Sequence, residues 1–192
     1  GFHSTVWAIL NEEEELGLTV HLMSPFIDDG NIIAQYAVKN DFKSTSAYYM
    51  QSFNSWIEEN LLMVITKYLN HEVVEKKQDK TKASWVGKRN IEDCKLNFNW
   101  SHGYIQNIFR CLVEPYPLPF IRLDKTKQEY EVLEYELKPS GVKSHIGRIL
   151  NIDNDGIYIS SKDGYVIVKK LQDRKGQNVP FSNFRIGTYL EN

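Results

Sequence analysis

The sequence is poor in three features that mark specialised classes of protein: cysteine, long apolar runs and a surplus of charge of one sign. Its two cysteines, Cys94 and Cys111, do not have the spacing of a metal site, and two are too few for a disulfide framework. We expect both to be packed free thiols in a reducing compartment such as the cytoplasm. Apolar runs such as residues 61–65 are far shorter than the roughly 20 residues of a membrane-spanning helix.

The charges are nearly balanced, and this bears on the expected partners. The sequence has 23 Lys and Arg residues against 25 Asp and Glu residues, a net charge of −2 at pH 7. A dedicated nucleic-acid binder usually has a strong basic excess, so neither nucleic acid nor a membrane is an expected partner. No basic and apolar leader opens the sequence, which starts with Gly1, so we expect a processed chain or a piece of a longer protein.

The 192 residues, 42% of them apolar, are enough for one domain or two small ones with a packed core. A first helix is predicted from Ser4 or Thr5, as its cap, to Gly17, as the residue after its end. Residues 18–23 and 32–38 alternate as strands and flank a tight turn at residues 28–31, so they predict a hairpin-like pair.

A long helix is predicted from Ser44 or Thr45 to Leu69, because its apolar residues recur at three- and four-residue steps. Residues 71–93 are rich in charge and poor in apolar residues, which indicates a loop or covering segment. Ser101 is a good cap for a further helix, which prolines from Pro115 onward end. The stripe of the long helix consists of Tyr49, Phe53, Trp56, Ile57, Leu61, Val64, Ile65 and Tyr68.

The last third of the sequence predicts short strands at residues 129–137, 146–150, 156–160 and 165–171, separated by turn residues such as Asp163 and Gly164. Such spacing is typical of a small barrel or sandwich. The sequence therefore predicts an α/β domain over residues 1–114, including a connecting segment at 71–100, and a β-barrel domain over residues 115–192.

The most informative stretch runs from the strand that ends near Met23 to the turn that contains Asp28 and Gly30. A carboxylate beside a glycine at the end of a strand lies where ligands usually bind in an open α/β sheet. We expect Asp28 to face a concave pocket there and Gly30 to let a flat ligand approach the main chain. Asp-Asp-Gly is also ordinary turn chemistry, and this purely structural alternative stays open.

This stretch resembles the N10-formyltetrahydrofolate-dependent formyltransferase family. That family has a strand that ends in a Gly-Val-Thr-Val-His-like run, then an Ile/Leu-Asp-x-Gly loop, then an Ile-Ile-x-Gln strand, in the same order as here. The terminal β-rich part resembles the family's small carboxy-terminal barrel. Further segments with the same likeness are Gly1 with residues 6–10, then residues 87–93, 96–100, 105–110 and 115–117.

The resemblance implies a fold and a reaction. The fold would be the carboxy-terminal half of a Rossmann-like formyltransferase domain followed by a small OB-like β-barrel. The family's catalytic residues are an Asn, a His and an Asp, and the Asp matches Asp28. The Asn and His belong to an Asn-x-His-Pro segment that would precede Gly1, so His3 and His21 are expected to be structural.

The chemistry explains why the family needs these groups. An amine that attacks a formyl carbon has to lose a proton, and an oxyanion forms. An imidazole can take up the proton, a carboxylate can orient that imidazole, and an amide can stabilise the oxyanion. No metal is implied.

The cosubstrate implied by the resemblance is N10-formyltetrahydrofolate, with its pterin at the loop before Asp28. Pro25 and Phe26 are expected either to flank the pterin or to fill the core. The residues assigned to the folate are Met23, Ser24, Pro25, Phe26, Ile27 and Gly30.

Three acceptors for the formyl group occur in the family: a nucleotide-linked amino sugar, methionyl-tRNA and glycinamide ribonucleotide. The terminal barrel disfavours the third. From Pro117 onward, twelve Lys and Arg residues face ten Asp and Glu residues, and this weak excess is unlike the basic stripe that binds tRNA. We therefore expect a nucleotide-activated amino sugar, a precursor of a bacterial surface glycan, with Lys88, Arg89 and Arg110 at its diphosphate.

Two alternatives stay open. These three basic residues are equally well explained as solvated or ion-paired within the chain. The chain alone, without the Asn and His, would be an inactive fragment or an interaction subunit, completed by an amino-terminal segment or present as a homodimer.

Overall fold

The computed structural model describes residues 3–142 and 144–192, so Gly1, which the resemblance placed after a family loop, lies outside the described residues. The chain divides into two compact units, residues 1–89 and 90–192. Among the described residues no helix combines the length and the apolar character that crossing a bilayer requires.

The first unit contains two helices and a two-stranded antiparallel sheet: α1 (Ser4–Leu10), β1 (Glu15–His21), β2 (Ile32–Lys39) and α2 (Ser46–Leu69). In the sheet register, Leu16 faces Val38 and Leu18 faces Tyr36. Helix α2 packs on β2 and on α1. The hairpin and the long helix are as predicted.

A hydrogen-bond cluster fixes the start of α2. The Asp41 carboxylate accepts bonds from the Ser44 hydroxyl and from the amides of Ser44 and Lys43. These bonds outweigh the small effect of burial and hold the pKa of Asp41 well below its usual range. The buried Tyr49 hydroxyl lies 3.1 Å from Asn40 Oδ1, which ties the helix to the end of β2.

The predicted course of α1 was wrong at both ends. His3 is its N-cap, so Ser4 and Thr5 lie inside the helix. The helix ends at Leu10, because Glu12 adopts a left-handed conformation with φ of 56°. Gly17 is therefore a residue of β1 and does not follow a helix.

The second unit is built on five antiparallel strands in the order β3-β4-β7-β6-β5. The strands are β3 (Phe120–Arg122), β4 (Glu129–Pro139), β5 (Ile149–Asp153), β6 (Gly156–Ser161) and β7 (Gly164–Gln172). Residues 189–190 bridge the residues that adjoin both outer strands, since Leu190 pairs with Leu123, directly after β3, and Tyr189 pairs with Arg148, directly before β5. This segment joins the two edges of the sheet, as expected for a small barrel.

Helix α3 (His102–Cys111) belongs to the second unit. Ser101 caps it as predicted, with its hydroxyl oxygen accepting a bond from the Tyr104 amide. Phe109 stacks on Tyr135 of β4, and the His102 amide donates to the Asp163 carboxylate. Before α3, Ile91–Cys94 forms a 3-10 turn and Lys95 pairs with Phe120 of β3. Because α3 and this segment pack with the sheet, the compact units divide between residues 89 and 90, whereas the expected boundary was 114.

Arg122 lies at the centre of an ion-pair network in the second unit. Its guanidinium bonds to the carboxylates of Glu92, Glu129 and Glu191, which belong to three separate segments. The bonds with Arg122 lower the pKa of Glu92 and of Glu191. Burial raises the pKa of Glu129, but its bonds with Arg122 and Arg174 outweigh that and lower it.

Replacing Arg122 by Met should reduce the free energy of unfolding by roughly 1–3 kcal/mol at neutral pH, because three carboxylates lose a shared cation. The Arg122 side chain is 15% exposed, so solvent only partly replaces the lost bonds. Denaturant unfolding of the wild-type and variant chains measures the difference.

The control is Lys170→Met, which removes an exposed pair with Glu134 and should change stability by no more than about 0.5 kcal/mol.

Since the three glutamate pKa values lie below 4.5 in the folded chain, the contribution of Arg122 to stability is complete above that pH. It is lost as the pH falls through the lowered pKa values. A difference that persists unchanged in acid would contradict the network.

Candidate functional site

The candidate site is the loop at residues 22–31, which joins β1 to β2. The Leu22 amide donates to the Asn31 carbonyl across the base of the loop, at 2.9 Å. Asp28 adopts a left-handed conformation with φ of 55°, which aspartate tolerates better than most residues. The loop therefore turns back on itself at Asp28.

Gly30 is required by a close contact within the chain. A Cβ at this position would lie 1.6 Å from the Leu22 carbonyl oxygen and 3.2 Å from His21 Nδ1. The Leu22 carbonyl occupies the space that a side chain at position 30 would fill, and the approach of a flat ligand to the Gly30 main chain stays a prediction. The glycine allows the two ends of the loop to meet.

Asp28 lies beside His21, which the sequence analysis treated as structural. His21 Nε2 is 3.9 Å from the Asp28 carboxylate, and its Nδ1 lies 2.8 Å from the Leu22 carbonyl oxygen. A carbonyl only accepts, so Nδ1 carries the proton, and Nε2 forms an ion pair with Asp28 only as the imidazolium. The structure thus places a carboxylate and an imidazole together.

A second segment, residues 75–80, lies along this loop, and we call it the strap. The Lys76 and Ile32 backbones exchange two hydrogen bonds, and Glu75 accepts a bond from the Asn31 side chain. Gln78 Nε2 donates to two carbonyls of the loop, and Lys80 pairs with Asp29 at 2.8 Å. The sequence predicted only a loop or covering segment here, because contacts across some 50 residues leave no local pattern.

Three of the residues assigned to folate, Met23, Phe26 and Ile27, are exposed apolar side chains in the part of the loop before Asp28. Met23 and Ile27 are almost fully exposed and the Phe26 side chain is 70% exposed. Pro25 is also exposed, so the core-filling alternative was wrong for Pro25 and Phe26. Ser24 is half-buried, and its hydroxyl donates to the Phe26 carbonyl within this turn.

Of the three basic residues assigned to the acceptor, two lie in the first unit. Lys88 is exposed, and the Arg89 guanidinium lies over the Trp7 ring at 5.5 Å. Arg110 belongs to α3 in the second unit, is only 5% exposed and donates to Asn107. Its burial favours the alternative of an intrachain role over diphosphate binding.

A cavity of about 530 Å³ lies on the first unit, but it does not include Asp28. It carries Tyr36, stacked on Trp56 with ring centroids 5.7 Å apart. The Asp28 carboxylate is 59% exposed. This cavity is therefore not the concave pocket that we expected at Asp28. Its lining residues lie on β2 and α2, whereas Asp28 lies in the loop between β1 and β2.

The two cysteines are placed as the sequence predicted. Cys94 and Cys111 are both buried free cysteines, as expected. Within residues 3–142 and 144–192, no three His, Cys, Asp or Glu side chains come together in a way that could hold a metal ion.

Comparison with known families supplies the assignment. The family model described as formyl transferase, C-terminal domain, matches residues 89–188, which is more than half of the chain. The chain belongs to the formyl transferase family. Its matched part coincides closely with the second compact unit, residues 90–192.

Curated relatives of this formyl transferase chain are longer than the chain itself. The methionyl-tRNA formyltransferase of Malacoplasma penetrans is 29% identical over 86% of this chain and 51% of that protein. The methionyl-tRNA formyltransferase of Borrelia turicatae is 29% identical over 94% of this chain and 58% of that protein. The chain thus spans little more than half of their length.

Solved structures share the fold of this formyl transferase chain. HypX from Aquifex aeolicus has a TM-score of 0.63 at 17% identity and covers 94% of this chain, which is 33% of HypX. An N-formyltransferase from Helicobacter canadensis, solved with folinic acid and dTDP-3-aminofucose, has a TM-score of 0.59 at 23% identity, over 90% of this chain and 61% of that one. The predicted fold class, a partial Rossmann-like formyltransferase domain followed by a small β-barrel, is confirmed.

Replacing Gly30 by Ala should reduce the free energy of unfolding by about 1–3 kcal/mol, because the new Cβ would force Gly30 and Leu22 apart. The control is Gly87→Ala, since a Cβ on Gly87 meets nothing within 4 Å. Denaturant unfolding of both variants provides the comparison. Equal stability of the two would show that the loop base is open and would contradict the contact described above.

Proposed function

We propose that the protein that includes this chain transfers a formyl group from N10-formyltetrahydrofolate to an amine. The observation that carries the proposal is the placement of Asp28. Its carboxylate lies at the turn of the β1–β2 loop, 3.9 Å from the His21 imidazole and directly after the exposed apolar side chains of Met23, Phe26 and Ile27. Membership of the formyl transferase family supports this interpretation.

The exposed apolar side chains suit a folate. The exposed side chains of Met23, Phe26 and Ile27 offer apolar area, and the Phe26 ring offers a face on which a flat pterin can pack. When bound, the folate supplies the formyl carbon that the amine attacks. Folinic acid in the Helicobacter canadensis enzyme, which shares this fold, agrees with a folate site.

We propose that the Asp28 carboxylate orients the imidazole that takes up the proton. A carboxylate next to an imidazole fixes which nitrogen carries the proton and stabilises the charged ring. By the family resemblance, that imidazole comes from an Asn-x-His-Pro segment, a motif that this sequence does not contain. In this chain the imidazole close to Asp28 is that of His21.

For the acceptor we propose the amine of a nucleotide-linked amino sugar, on the route to a bacterial surface glycan. The support is electrostatic, because many cations of the second unit are already bound to acids of that unit. Such paired cations attract the phosphates of a tRNA only weakly. Among the described residues of this unit, the ion-paired cations are Lys95, Arg122, Lys127, Lys169, Lys170 and Arg174.

The second candidate acceptor is methionyl-tRNA, and a specific observation favours it. The curated relatives described above are methionyl-tRNA formyltransferases. A cytoplasmic location is proposed for either acceptor, supported by the two free thiols.

The acceptor is tested by offering both amines to the full-length protein with N10-formyltetrahydrofolate. We expect kcat/KM for a dTDP-linked amino sugar to exceed that for methionyl-tRNA by roughly 100-fold or more. A higher kcat/KM for methionyl-tRNA would contradict the sugar as acceptor and support methionyl-tRNA in its place.

The 192-residue chain alone serves as the control in that assay. It should transfer no formyl group unless an amino-terminal fragment with the Asn-x-His-Pro motif is added. Full activity of the chain alone would contradict the role given to the missing imidazole.

Replacing Asp28 by Asn in the full-length protein should lower kcat by roughly 10²–10⁴-fold, because the neutral amide no longer stabilises a charged imidazole. The matched control is Asp124→Asn, which removes an exposed carboxylate from the second unit and should leave kcat unchanged. Steady-state kinetics of both variants measure this. Near wild-type formyl transfer by the Asp28 variant would refute the role of this carboxylate.

A further inference from the structure

The strap contacts every residue from Asp28 to Ile32, yet its contacts are of two kinds. Glu75 and Lys76 bind the base of the loop, at Asn31, and the first residue of β2, Ile32. Lys80 contacts only side chains of the loop among its described partners, the Asp29 carboxylate and the face of the Phe26 ring. Gln78 alone among these strap residues binds the main chain on both sides of Asp29, through the carbonyls of Asp28 and Gly30.

The geometry of the Gln78 contacts is well matched to its chemistry. A primary amide nitrogen has two N–H donors, and Gln78 Nε2 lies 2.8 Å from each of the two carbonyl oxygens. Both donors are thus used. Fixing two carbonyls on either side of one residue fixes the peptide planes between them, and with these the direction in which the Asp28 side chain leaves the loop.

This restraint is needed because of the conformation of Asp28. A left-handed backbone is less favourable than a right-handed one for any residue with a Cβ, and Asp28 has φ of 55°. Gly30 anchors one side of the turn against Leu22. The bonds from Gln78 hold the other side, where the carboxylate is attached.

We propose that Gln78 is a positioning residue, which aims the Asp28 carboxylate by holding the main chain of residues 28–30. The inference rests on the proposed function, since it assigns Gln78 a part in formyl transfer through Asp28. Gln78 itself is not proposed to touch a substrate.

The strap remains attached when Gln78 is changed. The two backbone bonds between Lys76 and Ile32 and the bond from Asn31 to Glu75 do not involve its side chain. Gln78 lies outside the buried core of the first unit. Variants at this position are therefore expected to fold, which far-ultraviolet circular dichroism of the full-length protein checks.

The first test replaces Gln78 by Met, which keeps the length of the side chain and removes both donors. In the full-length protein, kcat should fall roughly 10–100-fold because the carboxylate is misdirected, while the acceptor KM changes less than about 3-fold. In the Gln78→Glu variant kcat should fall at least as far, because the new carboxylate would face two carbonyl oxygens that it repels. The control is Gln35→Met, which removes an exposed bond to Thr19 and should keep wild-type kcat.

A double variant separates positioning from a general structural effect. If Gln78 acts through Asp28, adding Gln78→Met to Asp28→Asn should lower kcat by less than about 2-fold further, since the carboxylate is already absent. Independent effects that multiply in the double variant would overturn the proposal.

A second measurement does not depend on activity. Chymotrypsin can cleave after the exposed Phe26, and loss of the Gln78 bonds should speed this cleavage severalfold relative to wild type and to Gln35→Met. Equal cleavage rates would overturn the restraint, whatever the kinetics show. Faster cleavage with unchanged kcat would overturn the link to catalysis. If the wild-type protein transfers no formyl group to either acceptor, the proposed function is refuted. That result is distinct from the two outcomes above, which concern only Gln78.

Discussion

The close contact between Gly30 and the Leu22 carbonyl is the constraint on which the candidate site depends. The two strands could be joined by an open loop of this length, but the absence of a side chain at position 30 lets the loop ends meet. The backbone bond from Leu22 to Asn31 then closes the base. Once the base is closed, the remaining residues have to form a compact turn, with Asp28 in the left-handed conformation. The strap secures this turn from outside.

The second unit depends on a different interaction, the shared cation of Arg122. It joins Glu92 from before α3, Glu129 from β4 and Glu191 from the chain end. Residues 189–190 also bridge the residues that adjoin β3 and β5. Ion pairing and closure of the barrel thus support each other. Other cations of this unit, Lys169, Lys170 and Arg174, are ion-paired as well, and this is why we favour an acceptor smaller than tRNA.

Periodicity and turn chemistry in the sequence were enough to predict most elements, but not contacts between distant segments. The hairpin, α2, α3 and the four longer strands of the barrel follow from local patterns. The end of α1 does not, because a left-handed glutamate gives no signal comparable to a glycine. Asp28 was proposed from its loop motif and the family resemblance. Gln78 was missed because its partners lie some 50 positions earlier, and His21 was treated as structural because only the folded loop brings it to Asp28. Arg110 was taken for a ligand-binding cation, although its position between the apolar residues of α3 was a sign of burial.

The central claim is that residues 23–30 form the site at which a folate and the Asp28 carboxylate meet. The most direct test is a crystal structure of the full-length protein with 5-formyltetrahydrofolate bound. The account predicts the pterin against Phe26 and the Asp28 carboxylate next to the imidazole that faces the formyl-bearing part of the folate. A folate bound away from this loop, with Asp28 in open solvent, would contradict it.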